Sequence, residues 1–196
     1  MSLLPWPLRD AWLSRLVVRS QRGDREAFRE LYRALYPPVS RYLRRRVPNV
    51  ADAEELENQV FFRLLESLER LESRRGSVLA YTLSMARNAL VDEVRRRAGL
   101  VPEEAAVAVP DLQAGPLERL LGQEDAERVR TELARLPAET RELLMLRFGD
   151  GLRFAEVAQV LGLSEAAVRQ RTSRAVRELR ARWDAGPARG ELANDG

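Results

Sequence analysis

Apolar residues recur along this chain at helical spacing, three and four apart, and no stretch alternates apolar with polar for long. After Gly23, Asp24 opens a helix whose one face carries Ala27, Phe28, Leu31, Leu35 and Tyr36. Pro37-Pro38 is expected to break it, and a second helix from about Val39 to Val47 is stopped by Pro48-Asn49. Asp52 is the expected N-cap of a long helix, with Glu55 as capping-box partner and Leu56, Val60, Leu64, Leu65 and Leu68 at core spacing. Beyond a polar turn, Ser77 is placed to cap another long helix reaching about Arg97.

The periodicity fails from Gly99 to Gly122, where Pro102, Pro110, Gly115 and Pro116 interrupt scattered Ala and Val. A stretch of that length is too long for a loop inside one compact domain, so the domain boundary is placed there. Helical pattern resumes near Gln123 and breaks at Pro137. Leu143, Leu144, Leu146 and Phe148 then form a new apolar face, ended by Gly149-Asp150-Gly151, and two short helices follow around Gly162. The expected fold is all-α: two small helical domains joined by a flexible acidic linker, the C-terminal one a helix-turn-helix. The boundaries read as an amphipathic segment 1–19, a first domain 20–98, a linker 99–122, a second domain 123–183 and a disordered tail 184–196. Trp6, Leu8, Trp12, Leu13 and Leu16 make the first segment amphipathic without assigning it a role.

Composition narrows the chemistry. The 196 residues include no Cys and no His, which removes disulfides, thiolate metal sites, Cys or His nucleophiles and imidazole acid–base work. No nucleophile constellation, Gly-rich phosphate loop or metal-ligand spacing stands in their place, so neither a catalytic site nor a cofactor is expected. All 33 basic residues are Arg, a side chain whose planar fork suits phosphate. The net charge of +3 is small, but it is unevenly placed: +4 over 20–98, −6 over 99–127 and +3 over 128–196. Two basic blocks flank an acidic connector, an asymmetry that needs a reason. No apolar run approaches a membrane span and no signal-peptide pattern opens the chain, so a soluble, cytoplasmic protein is expected.

The sharpest signal runs from Phe154 to Ala181. Ala158 is small where two helices would cross, Gly162 stands where a turn needs a left-handed backbone, Ser164 can cap the next helix, and Val168 points back to the core. Projected at 100° per residue, that helix turns Val168, Thr172, Ala175, Val176 and Leu179 inward. Gln170, Ser173, Arg174 and Arg177 lie opposite, with Arg169 on the flank. Such a face can read base edges at its start and phosphates further along. An ordinary helical hairpin with a solvated basic face is the bland alternative, and the Ala-Gly-Ser-Val spacing weighs against it.

Read together, several segments resemble the sigma-70 family of bacterial RNA polymerase, in its extracytoplasmic-function group. Asp52-Ala-Glu-Glu-Leu-Glu-Asn-Gln-Val-Phe-Phe-Arg-Leu resembles the segment that grips the clamp helices of the polymerase largest subunit. Met85-Ala-Arg-Asn-Ala-Leu-Val-Asp-Glu-Val-Arg-Arg-Arg resembles the one that opens and reads the −10 element, and Gly23-Asp-Arg-Glu-Ala-Phe-Arg-Glu-Leu-Tyr the opening helix of small sigma factors. Leu136-Pro137, Arg141, Leu146-Arg147, Glu156-Val-Ala, Val168 and Arg174-Ala175 resemble region 4, which reads the −35 element. Gln59 stands where an acid is usual, Tyr81 where a Trp is usual, and Ala166-Ala167 where Gly-Thr is common.

The resemblance implies three groups of contacts. Asp52, Glu54, Glu55, Leu56, Asn58 and Gln59 would meet core polymerase, although the acids among them also suit a helix N-terminus. Arg74, Arg75, Tyr81, Arg87, Asn88, Arg95, Arg96 and Arg97 would meet the −10 region, with Tyr81 equally readable as a core aromatic and the Arg triplet as a solvated helix end. Ser164, Ala166, Arg169, Gln170, Ser173, Arg174 and Arg177 would meet the −35 element. The implied partners are core RNA polymerase (clamp helices of the largest subunit, flap of the second-largest), promoter DNA and an anti-sigma factor. The acidic linker would thread the polymerase's basic active-site and exit path. A conventional helix-turn-helix regulator binding an operator alone, and a helical adaptor without DNA affinity, are the competing readings.

Overall fold

The structure, a computed structural model, describes residues 6–72, 76–99 and 123–185, with side chains from 8–72, 76–99 and 128–184. Among the described residues there are eight α-helices and two short turns of other helix type. In the first half lie α1 (Trp6–Gln21), α2 (Arg25–Arg44), α3 (Val50–Ser67) and α4 (Val78–Ala98), with a 3-10 turn Leu68–Arg70 after α3. The second half holds α5 (Gln123–Ala134), α6 (Ala138–Leu144), a short π turn Met145–Gly149, α7 (Phe154–Leu161) and α8 (Glu165–Ala185). There is no strand among the described residues. The linker 100–122 and the tail from 186 fall outside them, as do Arg74 and Arg75.

Local signals account for most helix starts. Asp24 accepts from the Ala27 amide, and the Ser77 hydroxyl accepts from that of Ala80 at 3.4 Å. The α3 cap differs from expectation: Asn49 caps it by accepting from Ala51 N at 2.8 Å, which leaves Asp52 inside the first turn rather than before it. Nor do Pro37 and Pro38 break α2, which runs unbroken to Arg44. Two prolines inside a helix cost about 3 kcal/mol each. Leu35, Val39, Tyr42 and Leu43, all fully buried, keep one helical phase across them, and each such burial contributes about 1.5–3 kcal/mol.

The helix phases pack into one continuous buried cluster. Leu31, Leu35, Val39, Leu43, Leu56, Val60, Leu64, Leu83 and Leu90 fill it from α2, α3 and α4, and Leu143, Leu146, Val157 and Val168 extend it into the second half. Leu13, Leu16 and Val17 of α1 are buried in the same cluster, so the N-terminal segment is part of the fold, and residues 19 and 20 both lie inside α1. Two residues placed on apolar faces by the sequence are instead exposed: Leu65 at 50% and Phe148 at 56%.

Around Gly162 the second helix is longer than expected. α7 has 8 residues and α8 has 21. Gly162 ends α7 at φ 66°, ψ 31°, and the following amide, Leu163 N, bonds Ala158 O at 3.0 Å. A methyl group added there would meet nothing within 4 Å, so Gly162→Ala tests backbone conformation alone. It is expected to lower stability by about 1–2 kcal/mol, the cost of a left-handed L-residue, read as a lower midpoint in thermal unfolding. An unchanged midpoint would mean that the turn adapts.

Candidate nucleic-acid interface

The turn between α7 and α8 aims the second helix outward. Ser164 Oγ accepts from Ala167 N at 3.2 Å, Val168 is fully buried, and Thr172 and Ala175 follow it inward. The opposite face is open: Ser164, Ala166, Arg169, Gln170, Ser173, Arg174 and Arg177 are all exposed. Arg169 is held at the start of this face, paired with Glu165 and standing 4.5 Å over the Phe154 ring. Arg174 and Arg177 have no ion pair among the described residues. Six of the seven residues named for this surface share the solvent-facing side of α8, and the seventh, Ser164, caps its start.

In the first half the named residues are spread along α4. Asn88 is exposed, and Tyr81 is half-buried at the edge of a cleft of about 280 Å³ that also involves Arg70, Leu71, Gly76, Ser77 and Gln159. Arg87 is engaged: its Nε lies 3.3 Å from Glu142 Oε2 of α6. The Arg95–Arg97 triplet ends α4 and is partly neutralised. Arg95 approaches Asp92 at 3.7 Å, Arg96 pairs with Glu93 at 2.7 Å, and Arg97 pairs with Glu93 and, at 2.8 Å, with Asp52. The bond from Arg97 holds the Asp52 carboxyl below the usual carboxylate range. Thus the structure ties one acid assigned to the polymerase surface to a cation assigned to the −10 surface.

The rest of α3 divides by helical phase. Glu54, Glu55 and Asn58 are exposed and Gln59 is half-exposed, with Gln59 Nε2 donating to Glu55 at 3.4 Å. Leu56 is 2% exposed and belongs to the core, so it offers no surface to a partner. Glu57 is equally buried, accepting from Tyr36 OH at 2.8 Å and Arg44 Nε at 3.1 Å. Burial raises its pKa, but hydrogen bonds from Ser40, Tyr36 and Arg44 outweigh that, and the group stays below the ordinary value. Two apolar residues take the outer face: Phe62 is 63% exposed, one helical turn on from Asn58 and Gln59, and Leu65, a turn further, is 50% exposed. On α3 the inward phase is held by Val60, Phe61 and Leu64, which turns Phe62, one position on, toward solvent. Phe61 is the buried one, its ring tilted against those of Tyr32 and Tyr36.

A helix-turn-helix with an open Arg/Gln face, packed with a four-helix body that presents its own Arg-rich helix, defines a helical DNA-binding protein. Residues 31–99 match the family described as Sigma-70 region 2, and residues 126–179 the one described as Sigma-70, region 4. The chain belongs to the sigma-70 family, in its extracytoplasmic-function group, and directs promoter-specific initiation of transcription without being an enzyme. It is 35% identical over 176 residues to the extracytoplasmic-function sigma factor ShbA of Streptomyces griseus, covering 85% of this chain and 92% of that protein. To SigD of Mycobacterium tuberculosis it is 31% identical over 175 residues, covering 86% and 82%. Its fold is shared with CnrH, solved with the cytosolic domain of CnrY (TM-score 0.62, 22% identity, 89% of this chain and 99% of that one). It is shared too with the sigma factor RpoE of Bartonella quintana, solved with the anti-sigma factor NepR (TM-score 0.58, 19% identity, 81% and 98%). No helix among the described residues is long and apolar enough to cross a membrane.

Proposed function

We propose that the two halves divide the promoter between them, α4 and its preceding loop opening and holding the −10 element and the outer face of α8 reading the −35 element. The observation that carries this reading is the α8 face, where Gln170, Ser173, Arg174 and Arg177 stand exposed behind a capped N-terminus. Extruding bases from a duplex costs a few kcal/mol each. An aromatic face such as Tyr81, with Asn88 for base edges and Arg87 for phosphate, suits that task. Arg95, Arg96 and Arg97 would then meet duplex phosphate, exchanging their present carboxylate partners for it.

Core polymerase would be gripped along the exposed stripe of α3, through Glu54, Glu55, Asn58 and Gln59 and the apolar pair Phe62 and Leu65. The clamp helices of the largest subunit and the flap of the second-largest are the surfaces proposed to receive the two halves, with an anti-sigma factor as a regulatory partner and the cytoplasm as the location. Gel filtration with sigma-free core polymerase tests the reading. Co-elution at near-equal stoichiometry is expected; elution alone combined with a shift of duplex DNA would make the chain a conventional regulator.

Arg174→Ala is expected to lower −35-dependent transcription about tenfold, from the 1–3 kcal/mol of a good base contact, while co-elution with polymerase is retained. Loss of co-elution with intact −35 dependence would reverse the assignment of the halves.

A further inference from the structure

The N-terminal helix does more than fill the core, because its last residue reaches the approach to α4. Gln21 ends α1, and its Nε2 donates to two carbonyls: Leu68 O at 2.9 Å and Leu71 O at 3.0 Å. Leu71 N donates in turn to Leu68 O at 3.1 Å, so the two carbonyls stand at either end of the 3-10 turn that follows α3. Carbonyls at the end of a helix have no partner within it. A side-chain amide has two N–H groups to give, and here both go to one turn.

The corner that carries Gln21 is itself fixed. Leu13, Leu16 and Val17 bury α1, and the Ser20 hydroxyl donates to Leu16 O at 2.7 Å. Gly23 then turns the chain at φ 88°, a left-handed value that suits glycine. Asp24 completes the corner, pairing with Arg19 at 2.7 Å while it caps α2. Gln21 therefore stands on a firm support, although it is exposed and no part of the core. It also lies ahead of residue 31, where the match to region 2 begins.

What the turn carries gives these bonds a purpose. Arg70 ends the turn and Leu71 follows it, and both line the cleft of about 280 Å³ to which Tyr81 contributes. Arg70 is exposed and has no ion pair among the described residues. An unpaired guanidinium and an aromatic ring on one cleft are the groups that take the phosphate and the stacked base of a single strand. We propose that Gln21 is a positioning residue for promoter opening, holding the turn from Leu68 to Leu71 so that Arg70 stands ready in the wall of that cleft. The proposal rests on the assignment of α4 and its approach to the −10 element. Without Gln21 a single backbone bond closes the turn, and the incoming strand must bear the cost of ordering Arg70.

The test uses the full chain assembled with core RNA polymerase, on a promoter that the wild type transcribes. Gln21→Glu keeps the size of the side chain and removes both N–H groups, and Gln21→Ala removes them without adding a charge. Both variants should keep their helix content by circular dichroism, co-elute with polymerase, and open the duplex promoter about fivefold or more slowly. On the same promoter carrying mismatches across the −10 element, both should initiate within about twofold of the wild type, because the bases are already unpaired. Opening of the duplex at the wild-type rate by both variants would overturn the proposal. So would an equal loss on the two templates, because a fault in folding or in polymerase binding is not relieved by melting the DNA beforehand. Tyr81→Ala, measured beside them, separates the causes. If it opens the duplex at the wild-type rate, the −10 assignment of the cleft fails and the proposal with it. If it alone is slow, only the role of Gln21 is lost.

Discussion

Leu56→Arg is expected to unfold the first four helices rather than to trim a contact. Leu56 lies 2% exposed between α2 and α4, in the cluster with Leu31, Leu35, Val60 and Leu90. Removing a buried Leu costs about 2–5 kcal/mol. Placing an unpaired guanidinium in the space adds the desolvation of a charge. The sum is comparable to the 5–15 kcal/mol that holds a typical domain folded. Circular dichroism should show a lost or strongly lowered thermal transition, and polymerase binding should vanish as a consequence. A variant that melts like the wild type yet no longer binds would put Leu56 back on the surface.

Phe62→Asp is expected to do the opposite. With 63% of its surface exposed on α3, Phe62 can be changed with little effect on the melting midpoint. Association with core polymerase should weaken roughly thirtyfold or more, because buried aromatic anchors at protein interfaces are worth about 2 kcal/mol and upward. Leu65→Asp should act in the same direction. If Phe62→Asp binds as the wild type does, the apolar pair is not part of the grip, and the stripe of Glu54, Glu55, Asn58 and Gln59 must suffice. The two substitutions together separate stability from recognition along one helix.

That pairing shows where the sequence was legible and where it was not. Leu56, Val60 and Leu64 were readable as core from their spacing, and Leu65 has the same chemistry one position out of phase. A family motif names a segment and its partner, but it does not say which residues of the segment face that partner. The motif thus points to Leu56, which is buried, and leaves Phe62, which is exposed, unmarked. The α8 face was easier, because Val168 and Thr172 anchor the phase and every residue opposite them is polar or small.

Charge was harder to read. Glu57, Glu142 and Glu156 look like ordinary solvated acids in the sequence, yet each is buried at 5% exposure or less. Their partners explain it: Tyr36 and Arg44 for Glu57, Tyr42 and Arg87 for Glu142, Arg9 and Ser77 for Glu156. The latter two sets of partners lie 55 or more residues away, where no local pattern registers them.

By itself, the sequence determined the helical class, the caps at Asp24, Ser77 and Ser164, the left-handed turn at Gly162 and the outward face of α8. These depend on interactions within about one turn of helix, hydrogen bonds to nearby amides and a repeat of 3.6 residues, so the information is written where it acts. The tertiary structure alone decided that α2 continues through Pro37-Pro38, that Leu56 faces in and Phe62 out, that α1 joins the core, and that α7 lies over α4. Each of these is a balance between a local cost and burial or ion pairing supplied by a distant element, and only the packed molecule brings the two sides together.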